Sequence, residues 1–123
     1  MTEKSLRYNQ GKPKWSLVHF QSLEPLVRVL EYGAHKYTIY TNEIGDDLKG
    51  SEVTPEQVKL WGLKIKSSGV ENWKKGLDQK EILDSLTRHL FALISGEEND
   101  PESGLPHMGH IMCNALFYQY YNK

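Results

Sequence analysis

The stretch GEENDPESGLPHMGH, residues 96–110, carries four carboxylates and two histidines in fifteen positions. Glu97, Glu98, Asp100 and Glu102 repel one another unless a cation or a set of hydrogen-bond donors sits among them. His107 and His110 are three apart and Asn114 is four further on, so on a helix they share about 60° of arc. A histidine pair at that spacing can ligate zinc, although a structural zinc site normally recruits more Cys or His than one cysteine allows. The same residues also read as an exposed acidic turn followed by polar residues at a helix start. Loops held by helices often carry sites, and spacing leaves the two readings open.

Other groups suit metal and phosphate chemistry. Glu31 and His35 are four apart, and Glu81 and Asp84 three apart, so each pair lies on one helical face. Two facing helices that each offer such a pair are how bundles build carboxylate metal sites, and Mg²⁺ or Mn²⁺ suits those donors. The alternative is a pair of solvated helix faces, with Glu81 serving as a capping residue. Asp84 and Arg88 are either an i,i+4 ion pair or the start of a phosphate fork. Lys12, Trp15, Lys36, Asn72, Trp73, Lys74 and Lys75 supply charge and rings that could cradle a triphosphate and stack a base. GKPKW lacks the Gly-Lys-Ser/Thr ending of a phosphate-binding loop. Each tryptophan also reads as core or interface.

The elements that must position these groups are mostly helical. Residues 7–16 read as an extended arm broken by Gly11 and Pro13. Ser22 can cap a helix through about Tyr37, with Leu23, Leu26, Val27, Leu30 and Ala34 at helical spacing. Residues 38–53 show no period and read as loop. Thr54-Pro55-Glu56-Gln57 is a capping-box start for a short helix to about Lys66. Asp78 to Glu81 opens another, whose apolar stripe is Ile82, Leu83, Leu86, Leu90, Leu93 and Ile94 and whose stop is Gly96. Pro106 begins the last, through about Tyr121. The expected fold is an all-α, compact bundle of about four main helices in a single domain over 1–123, with an irregular insertion at about 38–70.

Composition narrows the classes. The chain has 123 residues, 38% hydrophobic and 25% charged, which fits a globular domain. Its 15 basic and 16 acidic residues argue against polymeric nucleic acid as a partner. No apolar run is long enough to span a bilayer, so no membrane partner is expected. The first twenty residues lack the apolar middle of a signal peptide, and Cys113 has no partner for a disulfide. A cytoplasmic location is expected.

The pieces RYNQGKPKWSL, RVLEYGAHKY, NWKKGL and LDSLTRHLFALISGEENDPESGLPHMGHIMCNALF occur in that order. With them the chain resembles the phage and bacterial dATP/dGTP diphosphohydrolase family of N-terminal type, whose expected fold relatives are the MazG-like nucleotide pyrophosphohydrolases. The resemblance implies an all-α, metal-dependent enzyme that cuts (deoxy)nucleoside triphosphates to monophosphate and pyrophosphate. It carries Glu31, Asp84, His89, Glu97, Asp100, Glu102, His107, His110 and Asn114 as site residues. Catalysis is expected from Glu31, Asp84, His89, Glu97 and Asp100. Metal binding is expected at Glu31, His35, Glu81 and Asp84. Substrate contacts are expected from Lys12, Lys36, Asn72, Trp73, Lys75, Arg88, Glu102, His107, His110 and Asn114. Glu81-Ile82-Leu83-Asp84 matches the Glu-x-x-Asp half of the MazG-like signature. The alternative function is a non-catalytic binder that sequesters a signalling nucleotide. The apolar tail LFYQYY suggests a homo-oligomer.

Overall fold

The computed structural model describes residues 10–122, so Arg7, Tyr8 and Asn9 of the expected arm lie outside the described residues. Four α-helices run α1 Glu24–Lys36, α2 Pro55–Leu60, α3 Gln79–Ile94 and α4 His107–Tyr121 among those residues. Helix α4 packs against both α1 and α3 and is the centre of the bundle. The expectation of a mostly helical bundle with four helices holds. The expectation of irregular structure over 38–70 does not.

That segment contains a small antiparallel sheet, β2–β1–β3, made of β1 Ile39–Thr41, β2 Asp47–Lys49 and β3 Lys64–Ser67. Tyr40 on the middle strand pairs with Leu48 on one side and Ile65 on the other. Asn42 turns the first hairpin by accepting hydrogen bonds from the Ile44 and Asp46 amides, at 3.1 and 2.9 Å. Strands of three or four residues are too short to show an alternating period, which is why the sequence reads as loop there. Helix α2 begins at Thr54 with the expected capping box, but it stops at Leu60 rather than about Lys66. Gly62, at φ +62°, turns the chain into β3.

The sheet is tied to the end of α1 by close backbone approach. A Cβ on Gly50 would lie 1.7 Å from the His35 carbonyl oxygen, and one on Gly69 would lie 2.4 Å from the Tyr37 carbonyl carbon. The Thr38 hydroxyl donates to the Ala34 carbonyl at 2.6 Å and accepts from the Gly69 amide at 2.9 Å. His35 completes the tie. Its Nε2 lies 2.6 Å from the Val53 carbonyl, which can only accept, so Nε2 carries the proton. The Tyr40 hydroxyl lies 2.8 Å from the other ring nitrogen, Nδ1. His35→Ala is expected to cost about 1–3 kcal/mol, because it leaves a buried-side carbonyl and hydroxyl without their partner. Chemical denaturation would read that loss, and an unchanged midpoint would refute the structural role.

Local signals elsewhere fare unevenly. Gly96, at φ +99°, ends α3, and Pro106 precedes α4 as expected. Asp78 caps α3 by accepting from the Lys80 amide, without the reciprocal Glu81 contact of a full box. Ser22 does not cap α1; it sits in a 3-10 turn, Phe20–Leu23, bonded to His19 at 2.7 Å. The apolar stripe of α3 is only partly core. Ile82 is buried against α4, whereas Leu83, Leu90 and Ile94 remain exposed, because α3 is covered on one face only. Among the described residues no helix is long and apolar enough to cross a membrane.

Candidate functional site

Between α1, α3 and α4 lies a cavity of about 400 Å³. Its wall grades along α4. His110 stands at the polar end, Asn114 comes one turn later, and Phe117 lies at the apolar end beneath Trp73. Trp73 stacks on Phe117 with ring centres 4.8 Å apart at 22°. The 3-10 turn that carries it, Asn72–Lys75, is pinned by the Tyr121 hydroxyl, which donates to the Trp73 carbonyl and accepts from the Gly76 amide. Helix α1 contributes Tyr32 and Lys36, and α3 contributes Ser85, Arg88 and His89.

The stretch 96–110 folds back on itself at the polar end. The Asp100 amide donates to the Leu105 carbonyl, the His107 amide to the Glu98 carbonyl, and Asn99 bridges Pro106. Asp100 Oδ2 accepts from the Ser103 amide at 3.0 Å and the Ser103 hydroxyl at 2.9 Å. With its proton spent on Asp100, Ser103 Oγ must accept from His110 Nε2 at 2.7 Å. This leaves the His110 Nδ1 lone pair at the cavity wall. His110 and His89 are stacked in parallel, ring centres 4.4 Å apart.

His89 is buried, as is His107 behind it, with their Nδ1 atoms 2.8 Å apart. His107 turns its other nitrogen, Nε2, to Glu97 at 2.8 Å. The carboxylate requires a donor, so Nε2 of His107 is protonated and its inner Nδ1 carries the lone pair when the ring is neutral. Burial, and then the charge of neighbouring His110, hold His89 below the ordinary histidine range. Burial likewise lowers His110, against the opposing pull of Asp100. For Asp100 burial acts upward, but the two Ser103 hydrogen bonds and the nearby imidazoles outweigh it, so it sits below the usual carboxylate range. The ends of the cavity are thus an anion and neutral imidazoles on one side and aromatic rings on the other. Cys113 also borders it, its thiol pushed up to about 12 by burial, so it offers no thiolate.

Residues 2–123 match the family described as dATP/dGTP diphosphohydrolase, N-terminal. The chain belongs to that family. A relative named dATP/dGTP diphosphohydrolase, from Salmonella phage PMBT28, is 26% identical over 112 residues. The aligned region is 91% of this chain and 28% of that relative, so the chain spans well under a third of the relative's length. No solved structure matches the chain.

For this family member the structure sorts the expected residues. Lys36, Asn72, Trp73, Arg88, Glu102, His110 and Asn114 line the cavity, as do His89 and Asp100. His107 and Glu97 stand directly behind His89. Lys12 and Lys75 are exposed and lie outside the cavity wall. The expected metal quartet is not brought together. Glu31 pairs with Arg28 at 3.6 Å on the surface, His35 spends both nitrogens on the sheet, and Glu81 and Asp84 are exposed. Among the described residues the potential ligands that do converge are His89, Asp100 and His107. Among the described residues Asp84 and Arg88 form no ion pair within 4.0 Å, and no other carboxylate pairs with the Arg88 guanidinium that lines the cavity. Tyr32, Ser85 and Ser103 were not singled out by the sequence. Ser103 lies inside the acidic stretch, and an Asp-x-x-Ser turn is the signal that points to it.

Proposed function

We propose that the cavity holds a purine (deoxy)nucleoside triphosphate and that the protein hydrolyses it to the monophosphate and pyrophosphate. The observation that carries this reading is the graded wall. One end offers Lys36, Arg88 and imidazoles to phosphates, and the other offers Trp73 and Phe117 to a ring. A cavity of about 400 Å³ is within the size range of small-ligand sites. The name of the phage relative supports the substrate class.

In this reading Arg88, which makes no ion pair among the described residues, takes phosphate oxygens through its planar fork. Lys36 is held in place by Glu102 at 3.0 Å, a contact that also raises its pKa and keeps it cationic. Both hydrogens of the Asn114 amide nitrogen are spent, on Ser85 Oγ at 3.2 Å and the His110 carbonyl at 2.9 Å. Its oxygen is left as an acceptor midway along the wall, between phosphate and ring. His110, oriented by Ser103, is the base placed to take the proton of the attacking water.

Metal dependence belongs to the proposal. A divalent ion beside the scissile phosphate would polarise it and lower the pKa of a bound water. The Mg²⁺ or Mn²⁺ expected from the sequence would have to be held without the carboxylate quartet, which does not assemble. That same observation favours a second reading, a binder that holds a signalling nucleotide intact. The exposed Leu83, Leu90, Phe91 and Ile94 on α3 support a homo-oligomer in either case. A cytoplasmic location remains part of the proposal.

Incubation with a panel of deoxynucleoside triphosphates and signalling nucleotides, with divalent metals present, separates the readings. Pyrophosphate and monophosphate are the expected products. Tight binding of an unchanged nucleotide would favour sequestration. Arg88→Ala is expected to lower kcat/KM by about 30–150-fold, the equivalent of roughly 2–3 kcal/mol for a charge-assisted contact, with the change mainly in KM. Steady-state pyrophosphate release measures it, and an unaltered KM would remove Arg88 from the phosphate site.

A further inference from the structure

The convergence of His89, Asp100 and His107 differs in kind from the carboxylate site expected of the sequence. One donor atom from each lies within 4.8 Å of the others. His89 and His107 are 7% and 3% exposed, so their nitrogens are held in a low-dielectric wall and not in bulk water. His107 has the arrangement of a ligating histidine: the outer Nε2–H is fixed on the Glu97 carboxylate and the inner Nδ1 is turned into the cluster. Two imidazole nitrogens 2.8 Å apart need a proton or a cation between them.

Asp100 is similarly prepared. Ser103 saturates Oδ2, and His110 lies 3.6 Å from the same oxygen. Among the described residues Oδ1 receives no hydrogen bond. Asp100 and His107 therefore each have one atom fixed from behind and one left for a ligand, and His89 presents its Nδ1 to the same point.

We propose that His89, Asp100 and His107 bind a single divalent ion of the zinc class, with Glu97 as the residue that positions His107. Two imidazoles and one carboxylate form a mixed nitrogen and oxygen set. Such a set suits Zn²⁺ or, less tightly, Mn²⁺, whereas Mg²⁺ requires a nearly all-oxygen octahedron. Three protein ligands leave a fourth position open toward the cavity, the pattern of a catalytic rather than a structural zinc site. Only the occupant of that fourth position rests on the nucleotide reading; ion binding itself does not.

The test uses the full chain, stripped of metal, titrated with Zn²⁺ against a chromophoric chelator with no nucleotide present. One Zn²⁺ per chain is expected, and millimolar Mg²⁺ is expected not to compete. His89→Gln and Asp100→Asn should each weaken binding by about 100-fold or more, and Glu97→Gln by about 10–100-fold. Glu31→Gln and Asp84→Asn should leave it unchanged. Ring-nitrogen NMR of the wild type adds a readout independent of any variant's folding: zinc should shift the signals of His89 and His107 and not those of His35. No stoichiometric Zn²⁺, or Zn²⁺ indifferent to His89 and Asp100, overturns the proposal. Because nucleotide is absent, that failure is distinct from a failure to hydrolyse.

Discussion

Asp100→Asn is expected to lower nucleotide hydrolysis by about 10²–10³-fold, equivalent to roughly 3–4 kcal/mol of transition-state stabilisation, while the protein stays folded. The asparagine oxygen can take over both Ser103 hydrogen bonds, at the amide and at the hydroxyl, so the turn through 100–105 keeps its shape. The other carboxylate oxygen is then replaced by an amide nitrogen, a donor where the wild type presents an anion. His110 also loses the negative charge that lies 3.6 Å from its Nε2. The loss should therefore appear in kcat with the thermal midpoint little changed. A variant that hydrolyses nucleotide at the wild-type rate would show that Asp100 only closes the turn.

The second large effect is on stability. Gly109 lies where α4 crosses α1, and a Cβ there would stand 2.5 Å from the Pro25 carbonyl oxygen and 2.9 Å from its carbon. Backbone cannot yield as a side-chain tip can, so Gly109→Ala must push the two helices apart. Overpacking of this sort costs about 1–3 kcal/mol. At roughly 4 °C for each kcal/mol in a chain of this size, the midpoint should fall by about 4–12 °C. The cavity would open as well, because α1 carries Lys36 and α4 carries His110. Gly33→Ala is the contrasting change: no neighbour lies within 4 Å of its Cβ, and alanine favours a helix interior. It is expected to raise stability by about 0.5–1 kcal/mol. Denaturant melts of the pair give the comparison, and equal midpoints would mean that the crossing is not tight.

The site was legible where the chain brings its own parts together. Asp100, His107 and His110 lie within eleven positions, and a turn closed by local hydrogen bonds holds them in register. The aromatic end was legible only as a set of candidates. Trp73 reaches Phe117 across the bundle, and no spacing rule predicts that. The polar stripe of α1 shows the opposite case. Glu31 and His35 share a helical face as expected, yet the face points to Arg28 and to the sheet rather than to the site. Periodicity says which residues are neighbours on a helix and nothing about what that face meets.

By itself the sequence determined the start of α2 at Thr54, the end of α3 at Gly96 and the start of α4 after Pro106, because caps and breakers act within one turn. It also determined the family and the loop that carries Asp100. Only the tertiary structure decided that three short strands between 39 and 67 form a sheet, since pairing between strands of three or four residues depends on partners and not on period. Only it decided that His89 of α3 meets His107 of α4. Eighteen positions separate them, and the 2.8 Å between their Nδ1 atoms is set by how two helices pack. Side-chain chemistry is written locally, but the distances that make a site of it are fixed by the burial of distant faces against one another.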